Sequence, residues 1–342
     1  MSKNEQETPS EAPRQVPVDG KAESPVAAPK LAAADAAQRL TDVLAAWQRL
    51  SGKVVQQLRE DTLDAPWAEQ FSHLARQVRE LAQQDPDLAL YVLIQSNGTQ
   101  VNRYSENHAM TCLVIADLAA AWMDWSEDEK QSLALAALSM NVSMTALQNA
   151  LAAQNAPLSD TQRERVDHHA ALSVEMLTGA GVTDPVWLYV VEHHHTAAGP
   201  DAASDVSSGP RLAELLRRVD IYSAKLSRRG SRDSVTPAIA ARDACLGADG
   251  HPDSVGATLL RVIGLYPPGT YVELANGETA VVIQRGSKAH APTVASVRRQ
   301  DWGLIKPPQR RDTSRASLSV KRGVGPGQVK VLFDHLYLLG CK

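Results

Sequence analysis

The sequence predicts a mostly helical protein that ends in a small β unit. Three observations predict it. Apolar residues recur at 3.6-residue spacing from Ala34 to about residue 266. Helix start signals, Asp-Pro and Ser-x-x-Glu or Ser-x-x-Gln, divide that stretch at regular intervals. At Pro267-Pro268 the pattern changes to alternating, β-branched residues.

The chain has 342 residues, of which 44% are hydrophobic but only 4% aromatic. Its core must therefore be built from Leu, Val, Ala and Ile. A net charge of −4 is too mild to draw nucleic acid by overall field. No apolar run reaches the roughly 18 to 20 residues of a membrane helix. The opening "MSKNEQETPSEAPR" lacks the apolar centre of a signal peptide. Cys112, Cys245 and Cys341 match no metal or redox spacing and read as reduced packing residues. The expectation is a cytoplasmic protein with no membrane or nucleic-acid partner.

Residues 1–33 are rich in Pro, Glu, Ala, Ser and Lys and nearly free of large apolar side chains, which predicts a disordered tail. Residues 34–100 form an N-terminal helical layer. Its first helix carries Leu40, Val43, Leu44, Trp47, Leu50, Val54, Val55 and Leu58 on one stripe. Pro66, behind Asp64, starts a second helix with Phe71, Leu74, Val78 and Leu81, and Asp85-Pro86 starts a third. Plain packing is the default use of such stripes, and homodimerisation through them is the partner they would support.

Residues 101–266 continue as helices. "NHAMTCLVIADLAAAWMDW" is one. Ser126 with Glu129 forms a capping box for a helix that includes "LALAALSMNVSMTALQNAL", Leu133 to Leu151. Ser159 with Gln162 caps "TQRERVDHHAALSVEMLTG", which stops at Gly179. Asp184-Pro185 starts "VWLYVVEHHH", residues 199–210 read as a loop, and "RLAELLRRVDIYSAKLS" follows as a helix. Thr236-Pro237 starts the next, and Pro252 opens the last. In residues 267–342, "GTYVELANGETAVVIQRG" is a hairpin turning at Asn276-Gly277. "APTVASVRR" and "VKVLFDHLYLL" read as strands, separated by a long polar loop. The loop holds Arg310, Arg311, Arg315, Lys321 and Arg322, for which a solvated surface is the default.

Ten histidines are placed unevenly. His168 and His169 are adjacent on one helix, and His193, His194 and His195 end the next. His108 lies upstream and Asp220 downstream. Imidazole and carboxylate suit Zn, Mn, Fe or Ni. Helix neighbours point about 100° apart, so adjacent histidines serve two ions, or one ion and its surroundings.

In this order the residues resemble the HD-GYP branch of the HD-domain metal-dependent phosphohydrolases, over about Arg103 to Gly286. "RYSENHAMTCLVIADLAA" resembles the family's opening helix, with His108 at the first ligand. "DHHAALSVEML" resembles "HP..G...L", placing His169 on the ligand, with Ala170 and Ser173 for the usual Pro and Gly. "VVEHHHTAAG" resembles "HHE..DG", placing His193 and His194 on the ligand pair. "LLRRVDIYSAKLSRR" places Asp220 on the final ligand, and "YPPG" resembles the family's exit. The resemblance implies an HD-domain-like helical bundle and hydrolysis of cyclic di-GMP, a bacterial signalling molecule, at a two- or three-metal centre.

The departures bear on that chemistry. The family's "HDIGK" aligns with "MNVSM", so Met140, Asn141 and Met144 replace the His, the metal-bridging Asp and the phosphate-binding Lys. His195 replaces the Glu after the His pair, Ala198 replaces an Asp, and "GYP" is absent. A binuclear hydrolytic site needs a bridged hydroxide, and a neutral amide does not replace the bridging charge. The resemblance then implies a degenerate member without phosphodiesterase activity, acting as a regulatory or binding module for a cyclic nucleotide or signalling protein. The alternative is a residual metal-dependent phosphohydrolase. His108, His169, His193, His194 and Asp220 are the ligand candidates, for no metal or a single divalent ion. Arg217, Arg218 and Arg228 flank Asp220 as weaker candidates for holding an anion.

Overall fold

The computed structural model describes residues 27–59, 63, 65–196, 206–227, 235–246, 250–301, 303–329 and 334–340. The expected tail lies outside them up to residue 26, but its last residues belong to α1, Ala27–Leu58, which starts seven positions before the expected helical layer at Ala34. α2 spans Ala65–Gln84 and α3 spans Pro86–Thr99. Asp85 caps α3 by accepting a hydrogen bond from Leu88 N. The stripe of α1 turns inward: Trp47, Leu50, Val54 and Leu58 are buried with Phe71 and Val78 of α2.

α4, Tyr104–Trp122, is the central helix, buried along nearly its whole length. α5, Glu127–Ser139, starts at the expected capping box. It does not continue to Leu151. The chain breaks at Met140-Asn141, makes a 3₁₀ turn at Val142–Met144, and resumes as α6, Thr145–Ala153. No Gly or Pro marks the break. It is held from outside: Ser143 Oγ donates to His169 O at 2.8 Å and lies 2.9 Å from Ser173 Oγ.

α7, Asp160–Gly179, starts at the second capping box. α8, Pro185–His193, is capped by Asp184. Most of the loop expected at residues 199–210 lies outside the described residues, and its last two belong to α9, Gly209–Leu226. α10, Pro237–Cys245, follows Thr236. α11, Ser254–Ile263, is capped by the Asp253 side chain, so Pro252 precedes the helix rather than opening it. One apolar cluster runs from Trp47 to Ile263, so α1 and α2 share a core with the histidine-bearing helices.

The C-terminal part is a five-stranded antiparallel sheet in the order β4-β3-β2-β1-β5. Its strands are β1 Tyr271–Leu274, β2 Thr279–Gln284, β3 Thr293–Arg298, β4 Leu304–Asp312 and β5 Val320–Val324. The hairpin turns at Asn276-Gly277 as expected, with Tyr271 opposite Val281 and Gly277 at φ +80°. The expected polar loop is corrected: it supplies β4 and β5. Both are edge strands, where Pro307 and Pro308 remove no ladder bond that the sheet needs and charge is tolerated on the open side. Arg311 pairs with Glu278, and Lys321 and Arg322 both pair with Glu273. The expected last strand is also corrected. Residues 330–333 lie outside the described residues, and α12, His335–Leu339, follows, capped by the Asp334 side chain on Leu336 N.

Val281, Ile283, Ala295 and Val297 pack the sheet on Leu88 and Tyr91 of α3 and on Leu338 and Leu339. Asp87 anchors Arg285, and Gln95 Nε2 donates to Gly269 O at 2.6 Å. A Cβ on Gly269 would sit 2.9 Å from Tyr91 O, so a larger residue there would push sheet and helix apart. Among the described residues no helix is long and apolar enough to cross a membrane.

Candidate metal centre

Five segments converge on one cavity of about 260 Å³. His108 of α4, Asn141 and Met144 at the break, His169 of α7, His195 just past α8 and Asp220 of α9 all line it. His194 lies fully buried behind them. The break after α5 is what turns Asn141 and Met144 to the cavity. Met140 instead enters the main apolar core.

His169 and His194 are arranged as a pair of donors. His169 Nδ1 donates to Val166 O at 2.5 Å, and His194 Nδ1 donates to Val191 O at 2.7 Å. A carbonyl can only accept, so each Nδ1 carries the proton and each Nε2 carries a lone pair. Those two Nε2 atoms face each other at 3.3 Å. Facing lone pairs repel unless a cation or a proton lies between them. Two imidazoles on one tetrahedral ion hold their nitrogens about 3.3 Å apart, the same separation. His195 brings a third ring nitrogen, all three lying within 4.8 Å of one another.

A second group adjoins the first. His108 Nε2 lies 2.8 Å from Asp220 Oδ1 and 3.7 Å from Cys112 Sγ. Ser223 Oγ lies 3.1 Å from His108 Nδ1, and the Tyr104 ring stacks parallel to the imidazole. Asp220 Oδ2 is 4.0 Å from His195 Nδ1, which joins the two groups. Asn141 Oδ1, buried at the cavity wall, has no hydrogen-bond partner.

The electrostatics separate the groups. Burial, with His195 adding, pushes His194 down to about 3. Burial likewise lowers His169. Burial also opposes a charge on His108, but Cys112, Tyr104 and the Asp220 hydrogen bond outweigh it and raise the imidazole well above its ordinary value. Asp220 is opposed by burial too, and the His108 contact holds it down at about 2.

These shifts set an acid limit in chelator. An unfolded histidine titrates near 6.5. Folded His169 and His194 bind a proton only at lower pH, so their contribution is complete above 6.5 and is lost as pH falls toward 3. The His108–Asp220 pair works the other way, its imidazole contribution being present below 6.5 and lost as pH rises through the raised value. Urea denaturation with chelator present is expected to lose on the order of 3–5 kcal/mol between pH 6.5 and 3. A flat profile there would contradict the buried neutral pair.

Three expectations are corrected. His193 does not join the cluster. α8 carries it outward, where it stacks on Tyr189 and donates from Nδ1 to Tyr189 O at 3.0 Å. His195 takes its place. Arg217 and Arg218 are not free to hold an anion: both bind Glu214, and Arg218 also grips Asp253 through two bonds. Arg228 lies outside the described residues. Cys112 is more than a packing residue, since it reaches His108 one turn away. A His-x-x-x-Cys spacing on one helix was the sequence signal for it. No family model, curated protein or solved structure matches this chain.

Proposed function

We propose that the chain is a catalytically silent relative of the HD-GYP phosphohydrolases that keeps their pocket as a metal-dependent binding or regulatory site in bacterial signalling. The observation that carries this reading is Asn141. It lies on the cavity wall beside His108, His169, His195 and Asp220, where a bridging carboxylate would be needed. Its amide is neutral, and its unpartnered Oδ1 offers a single weak donor.

The residues fit a single divalent ion. His169, His194 and His195 supply three nitrogens, two of them already aimed at one point. An ion held there would act as a Lewis acid and lower the pKa of a bound water. The rest of the pocket does not complete hydrolysis. Met144 offers no charge to a phosphate. Asp220 is engaged by His108. Arg217 and Arg218 on α9 are neutralised by Glu214 and Asp253. The cavity wall also carries apolar Leu151, Ala152 and Leu158 beside the uncharged Gln148 and Gln154, which suits retention of a ligand better than transfer of a phosphoryl group. A cyclic nucleotide or a signalling protein is the partner class this reading supports.

The second reading, a residual phosphohydrolase, is favoured by the same three histidines, since three protein ligands plus water is a working hydrolytic pattern. Turnover separates the two. Protein loaded in turn with Mn, Fe, Zn or Ni is expected to hydrolyse neither cyclic di-GMP nor a generic phosphodiester above a metal-only blank. Turnover that disappears in His169→Ala would replace the first reading with the second.

A further inference from the structure

We propose that the C-terminal sheet carries a separate ligand site, an anion pocket that takes a diphosphate group. A cavity of about 420 Å³ opens at the hairpin end of the sheet. Arg298, Arg299, Lys321 and Arg322 line it, and Glu273 is the one carboxylate among its described lining residues. It shares no described lining residue with the metal cavity, so it does not rest on the reading of that cavity.

The register of the sheet builds the pocket. Arg322 stands opposite Glu273, Glu273 opposite Thr279, and Thr279 opposite Arg298, which makes one row across four strands. Three ladders shift beside this row: β1–β5 after Glu273, β2–β3 after Thr279 and β3–β4 before Arg298. Such bulges bend a strand and re-aim its side chains. Strict alternation would set Val297 against Thr279, but the β2–β3 shift passes over it and sets Arg298 there instead. Val297 stays in the core against α3, and the polar row ends in a cation.

A pair of cations therefore stands at each end of the row. Lys321 Nζ and Arg322 Nη2 share the Glu273 carboxylate at 2.9 and 2.5 Å, which tethers both beside the cavity. Arg298 and the exposed Arg299 stand where β3 ends. Asp301, the next acid along the chain, accepts from Gly303 N at 3.0 Å within its own turn. Arg217 and Arg218 meet two carboxylates, whereas here four cations meet one. The positive excess is local, since the whole chain carries −4, and a cavity lined by one sign of charge concentrates the opposite ion. Guanidinium forks bind phosphate oxygens in pairs, and two cation pairs flanking the small Thr279 fit two linked phosphate groups better than one.

Calorimetric titration of the full-length chain in chelator tests the site with inorganic pyrophosphate, ADP and inorganic sulfate as probes. Pyrophosphate and ADP should both bind at least about tenfold more tightly than sulfate, and more weakly as salt rises. Lys321→Gln with Arg322→Gln, both exposed in the native chain, should lower pyrophosphate affinity at least about tenfold. Arg298→Gln with Arg299→Gln should do the same. Arg310→Gln, on β4 outside the cavity, and His169→Ala should bind pyrophosphate like the wild type. A wild type that does not prefer pyrophosphate to sulfate, affinity unchanged in the Lys321 and Arg322 double variant, or ADP binding without pyrophosphate binding would overturn the site. So would an equal loss in Arg310→Gln, or a loss in His169→Ala that moves the anion to the metal cavity. Phosphodiester turnover, which decides the reading of the previous subsection, is a separate measurement that none of these outcomes settles.

Discussion

Trp187→Ala is expected to lower the unfolding free energy by about 3–5 kcal/mol. Trp187 is 3% exposed on α8 and belongs to the main apolar cluster. Its ring is parallel to Phe71 of α2 with centroids 6.2 Å apart, and its Nε1 donates to Ser139 Oγ at 2.8 Å. Truncation removes a large ring from a close-packed interior and leaves a cavity between α2, α5 and α8. Ser139 keeps its own bond to Leu135 O, so the loss is one of packing. Because α8 ends in the histidines, the variant should also weaken metal retention. Trp122, 58% exposed over Arg261, is the control: Trp122→Ala should cost only about 0.5–1 kcal/mol. Equilibrium urea denaturation checks both, and equal losses would contradict the core described above.

Asn141→Asp is expected to act in opposite directions with and without metal. At 6% exposure, the new carboxylate would be almost wholly desolvated. In chelator it should cost about 2 kcal/mol or more, as an uncompensated buried charge. With a divalent ion in the cavity it should raise affinity about tenfold or more, since a charged oxygen replaces a neutral one beside the histidines. Met144 stays apolar, so the substitution alone should not produce phosphodiester turnover. Calorimetric titration with Mn²⁺ and Zn²⁺, beside thermal melts in chelator, measures both effects. Unchanged affinity would mean that position 141 does not face the ion.

Much of this architecture was legible because local chemistry and tertiary packing agree. The capping boxes at Ser126 and Ser159 and the Asp-Pro starts at Asp85 and Asp184 form as their residues dictate. The misreadings fall where a distant partner decides. "MNVSM" reads as helix interior because nothing in it breaks a helix. The break exists because Ser143 bonds to α7, which no local window contains. β4 reads as loop because of its two prolines, and edge placement makes them harmless. At the centre, His108, His169, His194 and Asp220 were legible as candidates, and the structure gathers them. The choice of His195 over His193 depends on the phase at which α8 ends, which spacing alone does not fix. Cys112 gains its meaning only when α9 brings Asp220 against α4.

On the reading proposed above, the pocket holds a metal ion without the acid that hydrolysis would need, so retained metal is its most direct signature. Elemental analysis of the purified full-length chain, after loading with a divalent ion and exhaustive dialysis, should find bound ion in the wild type and in His193→Ala. Retention should fall at least tenfold in a His169→Ala, His194→Ala double variant. A folded wild type that retains no ion would contradict the account, as would a double variant that retains as much as the wild type.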